Sequence, residues 1–211
     1  MKTKHALMSE FSSLKTIVAV SKTQPIEAIQ KAIEAGYSDF GENKAQELKE
    51  KAQVLPDLTW HFIGHLQTNK VKDVIKYAST IHSVDSLKLI EAIDKECFKK
   101  NKAINIYIQV NLTQEDQKSG CDEKDLIQLI EKANASKMIH LIGLMVMGPS
   151  SVNLNETRLV FKKAKHLLIQ LQKDYPNLTE LSMGMSQDYQ IAIEEGASTI
   201  RIGSTLFGKR N

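Results

Sequence analysis

The sequence predicts an α/β fold, a single (β/α)₈ barrel of the TIM type. Short apolar runs alternate with helical patterns from one end of the chain to the other. The alternation gives about eight strands and as many helices, which fits a closed parallel barrel better than an open sheet. The 211 residues leave no linker or second domain, so we expect residues 1–211 to form one barrel domain.

The elements follow in chain order. The predicted strands cover residues 18–23, 37–40, 60–63, 80–84, 104–110, 140–145, 179–181 and 199–202. Pro25 is expected to start the first helix after a strand, and Gly36 to end it. A further helix begins near Ala45 and stops at Pro56, and the last helix runs from about Ser186 to Glu195.

The fifth predicted strand indicates which side of the sheet is polar. Its isoleucines alternate with Asn105, Tyr107 and Gln109 at a period of two residues. In a barrel the apolar set faces the surrounding helices. The polar set is therefore expected inside the barrel.

Composition and charge exclude several classes of function. The chain is 42% hydrophobic and 25% charged, as in an ordinary globular domain, and its net charge of +3 is spread without a basic stripe. We therefore expect no nucleic-acid partner, no membrane association and a monomer. Cys97 and Cys121 form no Cys-x-x-Cys pair, and the N-terminus leads into no signal-like apolar core. A cytoplasmic location is expected.

Lys22 closes the first strand, at the edge where α/β barrels build their active sites. Most lysines at strand ends are simply solvated, so a functional role for Lys22 depends on other candidate site residues at the same end of the barrel. The loops after the last two strands are expected to form a phosphate site from Ser182, Gly203 and Ser204. Either loop alone could equally be a Gly/Ser turn, but the two lie on adjacent strands and together favour an anion site.

Arg201 adds a second constraint. It lies between Ile200 and Ile202, so its guanidinium is expected to point into the barrel, where it needs a ligand or an acid. Lys22 is expected at the same end of the barrel. An amine that can form an imine, a phosphate cradle and an arginine able to face a ring nitrogen are the requirements for binding pyridoxal phosphate (PLP).

Six blocks of sequence resemble one known family, the pyridoxal phosphate homeostasis proteins. The blocks are Val18-Ala19-Val20-Ser21-Lys22-Thr23, Phe40-Gly41-Glu42-Asn43, Trp60-His61-Phe62-Ile63-Gly64-His65-Leu66-Gln67, Gly143-Leu144-Met145, Leu181-Ser182-Met183-Gly184-Met185-Ser186 and Arg201-Ile202-Gly203. The resemblance runs from about Thr16 to Gly208 in the family's order. It implies a barrel similar to the N-terminal domain of alanine racemase.

The resemblance also implies roles for individual residues. Lys22 would hold PLP as an imine, Asn43 would lie beside the cofactor, and Arg201 would face the pyridine nitrogen. The phosphate would be held by Ser182, Gly203 and Ser204. The implied function is to carry PLP in intracellular vitamin B6 homeostasis with little or no catalytic turnover, and the recipients would be PLP-dependent apo-enzymes.

The chain departs from the family at its N-terminus. The stretch before the first strand, residues 1–15, is shorter than is usual in the family. We expect it to be a short helical segment.

Two alternatives to a PLP carrier stay open. One is a PLP-dependent amino-acid racemase, which needs an acid or base on each face of the reacting carbon; no tyrosine follows Tyr189 to supply the second. The other is a phosphosugar-type barrel enzyme in which Lys22 is ordinary. No metal is expected, because His61 and His65 lack the helical spacing context of a zinc site.

Overall fold

Eight strands form one closed barrel in the part of the chain that the computed structural model describes, residues 2–11, 13–113, 119–150 and 153–208. The strands are β1 (Thr16–Val20), β2 (Asp39–Glu42), β3 (Thr59–Phe62), β4 (Thr80–Val84), β5 (Ile104–Gln109), β6 (Ile139–Met145), β7 (Glu180–Ser182) and β8 (Thr199–Ile202). All pairs are parallel, and β8 pairs with β1 to close the ring. The predicted (β/α)₈ barrel is confirmed.

The helices surround this ring. They are α1 (Lys4–Glu10), α2 (Ile26–Glu34), α3 (Ala45–Val54), α4 (Val71–Tyr77), α5 (Leu87–Lys100), α6 (Leu126–Asn134), α7 (Leu154–Leu171), α8 (Tyr189–Glu194) and α9 (Ser204–Phe207). Short 3₁₀ turns at Thr68–Lys70 and Glu123–Asp125 precede α4 and α6. None of the helices that the structure describes has the length and hydrophobicity to cross a bilayer.

The core lies between the barrel and its helices, and the barrel interior is largely polar. Ile106 and Ile108 of β5 are fully buried in the apolar cluster. Tyr107, which lies between them, hydrogen-bonds from its hydroxyl to Glu180 of β7 and contacts Thr199 of β8 across the interior. The inward direction predicted for the polar residues of this strand is therefore confirmed for Tyr107.

The short N-terminal helix α1 covers the N-terminal face of the barrel. Its Leu7 is fully buried in the core. Lys4 donates from Nζ to Asp39 Oδ2 at 3.1 Å, and its backbone N–H donates to the Ala35 carbonyl at 3.0 Å. The seven residues of α1 thus pack against the N-terminal end of the barrel at β2 although the leading segment is short.

The first two strands differ from the prediction. The first strand ends at Val20 rather than at Thr23, so Lys22 lies in the turn that follows it. The second strand starts at Asp39 rather than at Tyr37, because Tyr37 belongs to the cap of α2. Gly36 has φ +92, its N–H donates to the Ile33 carbonyl, and the N–H of Tyr37 donates to the Ala32 carbonyl. This is the hydrogen-bond pattern of a Schellman cap, and it engages Tyr37, the first residue of the predicted strand.

The contribution of α1 to stability can be measured with Leu7→Ala. We expect this substitution to lower the free energy of unfolding by about 2–5 kcal/mol, because it leaves a cavity in a packed core. Urea unfolding followed by circular dichroism measures it. Leu159→Ala, at a side chain that is 66% exposed, is the control and should change the free energy by no more than about 0.5 kcal/mol. Equal losses from the two variants would contradict the docking of α1.

Candidate functional site

A cavity of about 990 Å³ opens at the C-terminal ends of the strands. Barrels carry their binding and catalytic sites at this end. Most of the residues predicted to form the site line this cavity: Lys22, Asn43, Arg201, Gly203 and Ser204. The structure therefore brings together residues at the C-terminal ends of β1, β2 and β8 that are far apart in the sequence.

The backbone on both sides of Lys22 is fixed by charged groups. The carbonyl of Ser21 accepts a hydrogen bond from Lys51 Nζ at 2.8 Å. The N–H of Thr23 donates to Glu47 Oε2 at 2.7 Å, and Thr23 adopts φ +64, which is uncommon for a residue with a branched side chain. Such a conformation persists only where its surroundings hold it. Lys22 is thus presented to the cavity from a rigid segment.

Glu42 and Lys51 form a buried ion pair beneath this segment. The side chain of Glu42 is fully buried, and its Oε1 accepts from Lys51 Nζ at 2.8 Å and from Ser21 Oγ at 2.7 Å. Burial raises the pKa of Glu42, while the hydrogen bonds from Lys51 and Ser21 act in the opposite direction. Glu42 belongs to one of the six sequence blocks that resemble the family, but nothing in the sequence pairs it with Lys51.

Asn43 is held at the cavity by a close backbone approach. A Cβ atom added at Gly64 would lie 2.1 Å from the carbonyl oxygen of Asn43, so only glycine fits there. Ser83 Oγ donates to the Gly64 carbonyl at 2.5 Å and fixes this loop in turn. The position of Asn43 therefore depends on the backbone of the neighbouring strand's loop.

Ser186 ties the loops after β7 and β8 into one cup, and sequence reasoning gave it no role. Its Oγ accepts from the backbone N–H of Gly203 at 3.0 Å and of Thr205 at 3.3 Å. A Cβ atom at Gly203 would lie 3.2 Å from the Val20 carbonyl oxygen, so the absence of a side chain keeps this wall close to β1. Ser186, Gly203 and Ser204 all line the cavity.

Ser182 is the one predicted site residue that the structure keeps away from the cavity. It is fully buried, its Oγ lies 2.9 Å from His82 Nδ1, and it accepts from an Arg201 N–H at 2.6 Å. This position conflicts with the predicted contact between Ser182 and a phosphate. Ser182 supports Arg201 from inside the barrel instead.

Strand register explains the difference between the two serines. Ser182 pairs with Thr199, so the residue level with Gly203 on the neighbouring segment lies four positions further on, at Ser186. The pairing also continues past β7, since the N–H of Arg201 donates to the Gly184 carbonyl at 3.0 Å. This register is a contact between two strands, so no pattern in the sequence could have identified Ser186.

The guanidinium of Arg201 points into the barrel and reaches the cavity from below. The residue is 4% exposed, and besides Ser182 it donates to the Val146 carbonyl at 3.3 Å. Burial lowers the pKa of Arg201 to about 10, while the charge of Asp188 raises it. Arg201 is therefore positively charged at neutral pH.

The other candidates for chemistry lie outside this arrangement. His65 is exposed on the rim, 3.8 Å from Asp85. Across the described ranges no three His, Cys, Asp or Glu residues are grouped in a way that could hold a metal ion. Both Cys97 and Cys121 are buried, and burial raises the pKa of their thiols to about 11 and about 12. Both cysteines are therefore neutral, weakly reactive thiols.

Comparison with known proteins identifies relatives over nearly the whole chain. Residues 3–211 match the family described as "Alanine racemase, N-terminal domain". Proteins named pyridoxal phosphate homeostasis protein are 41% identical over 197 residues in Aquifex aeolicus and 39% identical over 197 residues in Pseudomonas aeruginosa. These matches cover 92% of this chain and 86% and 84% of the two relatives.

Solved structures show the same fold. PipY of Synechococcus elongatus, without PLP, superposes with a TM-score of 0.90 at 39% identity, covering 97% of both chains. The same protein with PLP bound gives a TM-score of 0.89 at 38% identity. An alanine racemase of Clostridium difficile shares the fold alone, at 17% identity and a TM-score of 0.74, with 54% of that chain covered. On sequence and fold together, this chain belongs to the pyridoxal phosphate homeostasis protein family.

Proposed function

We propose that this protein binds pyridoxal 5′-phosphate in the 990 Å³ cavity and carries it within the cytoplasm, with little or no catalytic turnover. The observation that carries the proposal is the convergence of an amine, a buried guanidinium and a glycine-walled cup on one cavity. Relatives named for PLP homeostasis and the PLP-bound structure of PipY support the assignment.

The residues present fit each part of the cofactor. Lys22 offers an amine to the aldehyde, with which lysines form a covalent carbon–nitrogen bond. Ser204 and Ser186 offer hydroxyl groups to a phosphate, and Gly203 has no side chain that would obstruct the loop. When bound, PLP supplies an electron-withdrawing ring that can stabilise negative charge on an attached carbon.

Arg201 weakens that chemistry. A guanidinium only donates hydrogen bonds and is charged throughout the physiological range. A pyridine nitrogen that faces it must accept and therefore stays unprotonated. Because an unprotonated ring withdraws electrons poorly, Arg201 favours holding the cofactor over using it.

The cavity walls also disfavour the racemase alternative. Racemisation needs a proton donor or acceptor on each face of the reacting carbon. Within the described residues, the cavity lining contains Lys22 and Asp188 but no tyrosine or histidine. Asp188 is engaged, since its Oδ1 accepts from the Met185 N–H at 2.6 Å, and the buried Tyr189 packs against Phe11 with ring centroids 6.5 Å apart.

The proposed destination of the cofactor is a PLP-dependent apo-enzyme, reached by a monomeric carrier. The two buried, free thiols accord with a reducing compartment. Incubation of the loaded protein with an inactive apo-enzyme should restore that enzyme's activity. Recovery no faster than with free PLP would contradict delivery.

Lys22→Ala should abolish covalent binding. We expect the purified protein to be yellow, and borohydride reduction to fix the cofactor on the peptide that contains Lys22. Lys72→Ala, at an exposed lysine, is the matched control and should leave the colour and the labelled peptide unchanged. Label on another lysine in the unsubstituted protein would contradict the assignment.

The two serines can be distinguished by their effect on phosphate recognition. Ser186→Ala should weaken PLP binding by about 10- to 150-fold, since a hydrogen bond to a charged group contributes ~1.5–3 kcal/mol, and should barely change binding of pyridoxal. Ser182→Ala should affect PLP and pyridoxal to the same extent. Fluorescence titration with each ligand measures both. A phosphate-specific loss in Ser182→Ala would restore Ser182 to the cradle.

The loaded protein should be a poor racemase. With L-alanine, chiral analysis of the product should show turnover well below ~1 s⁻¹, the low end of common enzyme rates. Free PLP at equal concentration is the control. Turnover at or above that rate, lost in Lys22→Ala, would overturn the carrier function and require a second proton-transfer group.

A further inference from the structure

A continuous line of hydrogen-bonded side chains crosses the barrel interior. His61 Nε2 lies 3.3 Å from Asp39 Oδ1, and His61 Nδ1 lies 3.0 Å from His82 Nε2. His82 Nδ1 lies 2.9 Å from Ser182 Oγ, which accepts from Arg201 at 2.6 Å. We call these five residues, Asp39, His61, His82, Ser182 and Arg201, the interior chain. It runs from the N-terminal face of β2 to the guanidinium at the floor of the cavity.

The two ends of the interior chain have fixed roles. Arg201 can only donate. Burial raises the pKa of Asp39, but hydrogen bonds from His61 and Lys4 act in the opposite direction, and the resulting pKa is about 2. Asp39 is therefore a carboxylate at neutral pH and can only accept. His61 Nε2 must carry a hydrogen, and the oxygen of Ser182 must accept one.

The middle of the chain then has one arrangement that satisfies every group. The hydroxyl of Ser182 donates a hydrogen bond to His82 Nδ1, and the Nε2–H of His82 donates one to His61 Nδ1. In this arrangement each imidazole carries its one hydrogen on Nε2. A protonated His61 would reverse the two inner bonds and turn His82 Nδ1–H toward Ser182, which would then accept twice and lose the acceptor for its own hydrogen.

The surroundings hold His82 in this state. His82 is fully buried and stacks on Tyr107, with ring centroids 4.4 Å apart and planes at 28°. Burial and, after it, the charge of Arg201 lower the pKa of His82 to well below 6.5. Tyr107 is itself anchored, since its hydroxyl donates to Glu180 Oε2 at 2.6 Å.

We propose that Asp39, His61, His82 and Ser182 are positioning residues for Arg201, which aim its guanidinium at the ring nitrogen of a bound pyridine cofactor. All hydrogen bonds of the interior chain are donated in one direction, from Arg201 toward Asp39, and we call this ordered set of bonds the relay. Each bond in the relay polarises the next, so the negative charge at Asp39 offsets the buried positive charge at Arg201. The cofactor contact rests on the proposed function, whereas the direction of the relay does not.

The direction of the relay can be tested on the protein without cofactor. ¹⁵N NMR of the histidine rings at neutral pH should show His61 and His82 as neutral Nε2–H tautomers. An Nδ1–H tautomer or a charged ring at either position would overturn the relay. This measurement uses the unsubstituted chain, so it does not depend on how well any variant folds, and it can fail while PLP binding stands.

The positioning role can be tested with His82→Asn, which breaks the contact to His61, and with His140→Asn, an exposed control. Two probes are compared: PLP, and 1-deaza-PLP, in which the ring nitrogen is replaced by C–H. We expect His82→Asn to weaken PLP about tenfold and to shift its absorption maximum, but to leave the affinity for 1-deaza-PLP unchanged. The control should change neither ligand. Equal losses for both probes would show a merely structural role and overturn the proposal.

Discussion

The buried charge of Arg201 is the constraint on which the rest of the site depends. A guanidinium in a barrel interior is tolerated only when its donors find acceptors, because an unpaired charge there is strongly destabilising. Ser182 and the Val146 carbonyl supply acceptors. The polar line of His82 and His61 behind Ser182 extends this compensation to a carboxylate at the other face. The interior of this barrel is therefore polar where most barrel interiors are filled by branched apolar side chains.

Lys22 depends on a second charged cluster on the other side of the cavity. Glu42 and Glu47 share Lys51 between them, and the three side chains hold the backbone on both sides of Lys22. Both cationic groups of the site thus rest on hydrogen-bonded supports, Arg201 on side chains inside the barrel and the segment of Lys22 on β2 and α3. A site fixed in this way is preorganised for one ligand, and binding then costs little ordering of side chains. This property suits a carrier, which must hold its cargo without converting it.

The fold was largely predictable because each strand and helix has its own local pattern of apolar residues and turn residues. The fourth and eighth strands have the predicted bounds, since their β-branched runs are framed by polar turns. The prediction was wrong at Tyr37, where a glycine cap extended the turn after α2. Caps depend on backbone angles that periodicity does not record, so errors of one or two residues collect at the ends of elements.

By itself the sequence determined the parallel barrel, the position of Lys22 shortly after β1 and the inward direction of Arg201, because these follow from patterns along single strands. The tertiary structure alone decided that Ser186 rather than Ser182 faces the cavity, because that choice depends on the register between β7 and β8. It also decided the pairing of Lys51 with Glu42 and of His61 with His82. These are contacts between different strands and helices, and no local pattern specifies them until the barrel closes.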